Sequence, residues 1–239
     1  MFLDYDGVLS PIVERPEDAV ITPEMREVVA RLATRCPVCV VSGRDRTVVQ
    51  TLMGLDGLVV AGSHGFDIWH PERGTLAHEA ASGYEELISE ITERIQTAVG
   101  GLDGVQVEPK RASVAVHYRR ADRPARDRVA DLVEGLLAER RDELKVTPGK
   151  MVYEVQPKLD WHKGAAVRYL LGALGLTGDD VVPLYLGDDV TDEDAFRALN
   201  GLGVAVYVGD QDELSRDTAA DFVLGTVDEV RQLLDTIGR

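Results

Sequence analysis

The chain has 239 residues, 44% of them hydrophobic and 28% charged, and its 26 basic and 42 acidic residues leave a formal charge of −16. That length suits one large domain or two small ones, and it can bury about 70% of the unfolded surface without disulfide or metal staples. The composition excludes a disordered or membrane-embedded chain, and the charge argues against non-specific binding to nucleic acid or anionic membranes.

No apolar run reaches the roughly 18 residues that a membrane helix needs. The opening MFLDYDG has no basic region and no cleavable signal, so a cytoplasmic location is expected. Phe2–Leu3 reads as a short strand. Thr22 and Pro23 then open a helix to about Thr34, the threonine as N-cap and the proline in the first turn. Cys36 and Cys39 form a CPVC that runs straight into a strand over Val38–Val41. Two ligands make no closed zinc site, and both thiols are read as packing residues. A helix over Arg44–Leu52 and a strand over Leu58–Ala61 follow.

From about Glu79 to Pro157 the pattern changes. A helix over Tyr84–Val99 precedes Val105–Glu108 and an alternating strand, Ala112–Tyr118. A charged helix over Arg123–Arg141 is followed by strands over Leu144–Thr147 and Met151–Val155. Alternating strands and short turns predict antiparallel pairing, and the segment reads as a smaller domain inserted into the first. Beyond it come a helix over Trp161–Leu171, a strand over Val182–Leu186, a helix over Asp192–Leu199, strands over Val204–Val206 and Phe222–Leu224, and a helix over Val227–Ile237. Thr226 and Glu229 have capping-box spacing for the last helix. Outside the insertion, continuous apolar strands alternate with helices, which predicts a parallel sheet covered on both faces.

Four polar clusters interrupt this pattern: Asp4-Tyr5-Asp6-Gly7, Ser42-Gly43-Arg44, Lys163, and Gly187-Asp188-Asp189-Val190-Thr191-Asp192. Three of them directly follow apolar strands, and the carboxyl ends of parallel strands form the ligand crevice of such a sheet. Acids, a hydroxyl and a lysine gathered there describe a phosphoryl site. Asp4 suits a nucleophile, and Asp6, two residues on, suits an acid and base for the same centre. Ser42 with nearby N–H groups can hold a phosphate oxygen at a helix start. Lys163 lies in a helical first turn, where a cation opposes the dipole and needs an anionic partner. Asp188, Asp189 and Asp192 repel one another unless a cation or hydrogen bonds offset them, which suits Mg2+ in an oxygen shell. His117 shares a strand face with Ala115 and Ser113. Trp69 and Trp161 are read as packing residues.

FLDYDGVLSPIV (2–13), VVSGR (40–44), AGSHG (61–65), VAVHYR (114–119), GKMVYEVQP (149–157) and GDDVTDEDAF (187–196) resemble the trehalose-6-phosphate phosphatases of the haloacid dehalogenase superfamily. The resemblance covers essentially the whole chain. It implies an α/β fold: a Rossmann-like parallel-sheet core of the haloacid dehalogenase type, formed by residues 1–78 and 158–239, with an inserted α/β cap, 79–157, for substrate specificity. It further implies magnesium-dependent hydrolysis of trehalose 6-phosphate through an aspartyl-phosphate. Asp4 would be nucleophile and Asp6 general acid/base. Ser42, Gly43 and Lys163 would bind phosphate. Asp4, Asp6 through its main-chain carbonyl, and Asp188 would hold Mg2+, with Asp189 and Asp192 near the metal or supporting it. Lys150 and Glu154, with His117 and Arg119, would hold the distal sugar, and Arg44, His64 and Gly65 would lie on the core side of the substrate. A monomer acting on a small sugar phosphate, with no nucleic-acid or membrane partner, is expected. Two positions depart from the family pattern: Val8 replaces a threonine and Gln156 an arginine. Phosphatase activity on another sugar phosphate, of the glucosylglycerate or sucrose type, and a non-catalytic sugar-phosphate-binding domain are the alternatives.

Overall fold

Short runs of Val, Leu and Ile form the middle of the larger of two compact units, which are Met1–Leu76 with Trp161–Arg239, and Ala77–Asp160. The computed structural model describes residues 1–13, 15–76, 83–149, 151–210 and 217–239. In the first unit the elements are β1 (Phe2–Leu3), α1 (Pro23–Ala33), β2 (Cys39–Val41), α2 (Arg46–Met53), β3 (Val59–Gly62), β4 (Asp67–His70) and β5 (Gly74–Leu76). In the second they are α3 (Glu85–Val99), β6 (Gln106–Pro109), β7 (Val114–His117), α4 (Arg123–Glu139), β8 (Leu144–Gly149) and β9 (Val152–Pro157). The first unit resumes with α5 (Lys163–Ala173), β10 (Leu184–Gly187), α6 (Glu193–Leu199), β11 (Val204–Val208), β12 (Phe222–Leu224) and α7 (Val227–Ile237).

The larger sheet has the order β12-β11-β10-β1-β2-β3-β4-β5, parallel from β12 to β3. Strand alternation sends Leu3, Val40, Val60, Leu186 and Val206 into one apolar cluster with α1, α2 and α7. Phe2, Cys39, Tyr185 and Ala205 alternate to the opposite face, where Tyr185 meets Phe196 of α6 edge-on at 5.8 Å. Thr22 caps α1 as expected, its Oγ1 accepting from the Met25 N–H at 3.2 Å. The final helix is capped differently from a full box. Thr226 accepts from the Glu229 N–H, but Glu229 reaches back to the N–H of Gly225.

The β4–β5 hairpin was not expected. DIWH does not alternate as an apolar strand, because Asp67 is buried and ion-paired to Arg46 at 3.0 Å, with that guanidinium 5.4 Å from the centre of the Trp69 ring. The strand expected over Val182–Leu186 begins only at Leu184: Pro183 has no N–H to give a ladder, and Val182 is exposed. Val8, one of the two departures from the family pattern, is fully buried in the apolar cluster.

In the second unit β6-β7-β9-β8 form an antiparallel sheet. Val114, Val116, Val155 and Leu144 pack on Ile91, Ile95, Val129 and Val133 of α3 and α4. The opposite face is polar. No helix among the described residues is long and apolar enough to cross a membrane.

Cys36 and Cys39 are both free, and burial pushes the Cys39 thiol up to about 12. A thiol-specific disulfide reagent at pH 8 should therefore titrate at most one thiol in the native protein, Cys36, and the second only in denaturant. Two fast thiols would show that β2 is not packed as described.

Candidate active site

β1 ends at Leu3 and β10 at Gly187, and the loops that leave them carry the acids. Asp4 is buried. Its Oδ1 accepts from the Tyr5 N–H at 2.7 Å and its Oδ2 from Lys163 Nζ at 2.7 Å. Lys163 is the first residue of α5, where its charge opposes the helix dipole. It answers this with a second carboxylate, donating to Asp192 Oδ1 at 2.8 Å, and its side chain is 2% exposed.

Asp192 itself is fully buried and fully used. Tyr185 donates to its Oδ1 at 2.6 Å, and the N–H groups of Asp188 and Asp189 donate to its Oδ2 at 3.1 and 3.0 Å. Together with Lys163 that makes four donors for the four acceptor sites of a carboxylate. Burial opposes its ionisation, but Lys163 and these hydrogen bonds outweigh burial and hold Asp192 below the usual range. Asp4 shows the opposite balance. Burial, with Asp192 and Asp188 nearby, raises it well above the ordinary carboxylate value in spite of Lys163. Burial also keeps the Tyr185 phenol protonated, with Asp192 adding to the effect.

Asp188 lies in the same cluster, and oxygens of Asp4, Asp188 and Asp192 all come within 4.8 Å of one another. Gly7 makes room for it. With φ at +74° the glycine takes a left-handed turn, and a Cβ there would stand 2.2 Å from Asp188 Oδ2. Burial and the neighbouring Asp192 push Asp188 up to about 7 although Lys163 is near. The site is therefore short of positive charge. Hard oxygen donors with spare acceptor capacity on Asp4 and Asp188 fit a small divalent cation. Asp189 is exposed and spends its side chain on the Val190 N–H at 2.6 Å.

Asp6 is held by a partner that the sequence did not reveal. Arg44 Nε and a terminal nitrogen donate to its two carboxylate oxygens at 2.7 and 2.6 Å, a bidentate pair, with the guanidinium 5.6 Å from the centre of the Tyr5 ring. Ser42 is buried, and its Oγ accepts from the Arg44 N–H at 3.1 Å. The expected helix start is displaced, since α2 begins only at Arg46 with Asp45 as its N-cap, so Ser42 and Gly43 belong to the strand-end turn. Ser63 and His64 have positive φ, 50° and 57°, and Ser63 donates to Asp45 Oδ1 at 2.8 Å. The His64 ring packs against Gly43, where an added Cβ would lie 2.8 Å from it. Gly65 lets this turn sit on α5: a Cβ there would meet Ala166 Cβ at 2.3 Å. The structure thus gathers Asp4, Asp6, Ser42, Gly43, Arg44, His64, Gly65, Lys163, Asp188 and Asp192 at the strand ends of one unit.

In the second unit, Glu154 is opposite Ala115 on β7 and Thr147 on β8. Its Oε1 accepts from Ser113 Oγ at 2.7 Å and from Lys110 Nζ at 3.3 Å. His117 Nε2 is 2.8 Å from Glu108 Oε2, and this hydrogen bond is the main reason the Glu108 carboxyl lies below its usual value. Gln156 donates to Thr147 Oγ1 at 2.6 Å, and Arg119 is exposed in the turn after β7. Lys150 lies outside the described residues. Lys110 and Glu108 were not singled out in the sequence, where Glu108 merely closes the Val105–Glu108 run and Lys110 follows it. The alternation of β6 and β7 would have placed Glu108 on the His117 face.

The sequence matches the family model described as Trehalose-phosphatase over residues 2–228. It is 41% identical to a trehalose-phosphate phosphatase of Mycobacterium tuberculosis, an alignment that takes in 100% of this chain and 61% of that protein. It is 39% identical to the trehalose 6-phosphate phosphatase RA3 of Zea mays, over 98% of this chain and 68% of that one. The chain thus spans about three fifths of the length of its mycobacterial relative. Its fold superposes on the crystal structure of a trehalose-6-phosphate phosphatase related protein with a TM-score of 0.82, covering 99% of this chain and 96% of the other at 24% identity, a likeness of fold alone. Because the match runs through both units and leaves out only Met1 and residues 229–239, the chain belongs to the trehalose-phosphatase family.

Proposed function

We propose that this chain hydrolyses trehalose 6-phosphate to trehalose and inorganic phosphate, with Asp4 as nucleophile. The observation that carries this is a buried lysine shared by two carboxylates of opposite character, one saturated and one with acceptor capacity to spare. Family membership supplies the substrate class.

In this reading an Asp4 oxygen attacks phosphorus, the ester P–O bond breaks, and the departing sugar oxygen takes a proton from Asp6. Water then attacks the aspartyl-phosphate and gives its proton to Asp6, which frees Asp4 and phosphate. Lys163, the Ser42 hydroxyl and N–H groups around Gly43 offset charge on the phosphoryl oxygens. Arg44 keeps Asp6 oriented until the ester arrives. Asp4, Asp188 and the Asp6 carbonyl would hold Mg2+, whose charge would favour the ionised carboxylates and the dianionic ester. Asp192 and Asp189 support the turn. Sugar selection is proposed for the polar sheet face of the second unit, through Glu154, Lys110, His117 and Glu108, joined by Lys150 and Arg119.

Three outcomes follow. Asp4→Asn, which preserves volume, should reduce phosphate release from trehalose 6-phosphate by about 10³-fold or more with an unchanged circular dichroism spectrum. Release within tenfold of the parent would assign the attack elsewhere. Asp188→Ala should weaken Mg2+ binding, measured by calorimetry on the resting protein, by at least about tenfold; unchanged affinity would remove Asp188 from the metal. Glu154→Ala should lower kcat/KM for trehalose 6-phosphate by about 10²-fold while leaving para-nitrophenyl phosphate within roughly threefold. Equal losses on both substrates would make Glu154 a support of its sheet through Ser113 and Lys110.

A further inference from the structure

We propose that Tyr185 is a positioning residue: its buried hydroxyl fills the last acceptor site of Asp192 and so commits that carboxylate to holding Lys163 against Asp4. The inference rests on the phosphoryl-transfer reading above. It concerns a residue in an apolar strand whose hydroxyl reaches an acid of the turn that follows β10.

Asp192 receives four donors. Two are backbone N–H groups fixed by the turn 188–192, and the third is Lys163, fixed by the start of α5. Tyr185 supplies the fourth, from β10, at 2.6 Å. Packing alone would be met by phenylalanine, since the ring's aromatic neighbour is Phe196, edge-on at 5.8 Å. The hydroxyl therefore does something that packing does not require. Tyr185 and Lys163 share one oxygen, Asp192 Oδ1. Without the phenol, that oxygen presents its full charge to the ammonium alone and draws Nζ away from Asp4. With it, the charge is divided between two donors, and Nζ sits at nearly equal distances from the two carboxylates, 2.7 and 2.8 Å. Lys163 touches the nucleophile, so its displacement changes the rate of phosphoryl transfer and not the capture of the sugar.

The test is Tyr185→Phe in the full chain, assayed with trehalose 6-phosphate and with para-nitrophenyl phosphate. We expect kcat to fall about tenfold on both substrates with KM within about twofold, and folded content by circular dichroism equal to the parent. Tyr185→p-aminophenylalanine, which returns an N–H donor to the same place, should restore kcat to within about threefold. A kcat for Tyr185→Phe within twofold of the parent overturns the inference, as does a rate loss fully accounted for by unfolded protein. If Tyr185→Phe does not fold, the p-aminophenylalanine variant decides alone: folded and near parental kcat supports the role, folded and tenfold slower refutes it. A parent that hydrolyses neither ester defeats the reading of function itself, which is distinct from an active parent that is indifferent to the phenol.

Discussion

A buried ammonium divided between two carboxylates organises the larger unit. Lys163 begins a helix that its own charge opposes, and it is almost wholly removed from water. Such a cation persists only when fully paired, because desolvating a charge costs several kcal/mol in proteins. Its partners come from different places: Asp4 leaves β1, Asp192 sits in the turn after β10, and the lysine itself heads α5. One ion cluster thus ties the ends of two neighbouring parallel strands to the start of a covering helix. It also divides the labour between the acids. Asp192 is saturated and stays anionic; Asp4 keeps spare capacity and is raised. The four donors of Asp192 outweigh its burial, and the donors of Asp4 do not.

The polar sheet of the second unit repeats the same economy at lower burial. Its acids do not stand free but are held by neighbours: Glu154 by Ser113 and Lys110, Glu108 by His117. Held this way, a carboxylate has little further side-chain entropy to lose on meeting any hydrogen-bond donor. Gln156 bonds within the sheet to Thr147 and brings no charge to it.

The parallel strands of the core were readable in the sequence because they are continuous apolar runs. A short run of Val and Leu between two amphipathic helices fits a strand buried on both faces and little else. The β4–β5 hairpin was hidden by Asp67, a buried acid whose partner Arg46 lies in another element. The acids were legible through their place at strand ends, and Lys163 through a helical first turn where a cation opposes the dipole. The Arg44–Asp6 pair was not, because residues 38 positions apart meet only through the shapes of two turns. Tyr185 was invisible for another reason. In PLYLG it has the periodicity of a core residue, and nothing local says that its hydroxyl finds a carboxylate seven residues on. Polar roles were readable where polar residues interrupt an apolar pattern, and unreadable where they conform to it.

The position of β1 bears on how the chain acquires this structure. Its neighbours in the sheet are β2 and β10, and the second of these begins at Leu184. Between them in sequence lies the whole second unit, Ala77–Asp160, with a core of its own. A ribosome-bound chain that has emerged only to that point can fold the insertion locally while β1 keeps one edge of unpaired N–H and C=O groups. Closing a loop of this length costs only a few kcal/mol in entropy but delays the contact. The strand that leads into Asp4 is therefore made long before the neighbour that encloses it. Until β10 arrives, it is an open template for strand pairing with other chains.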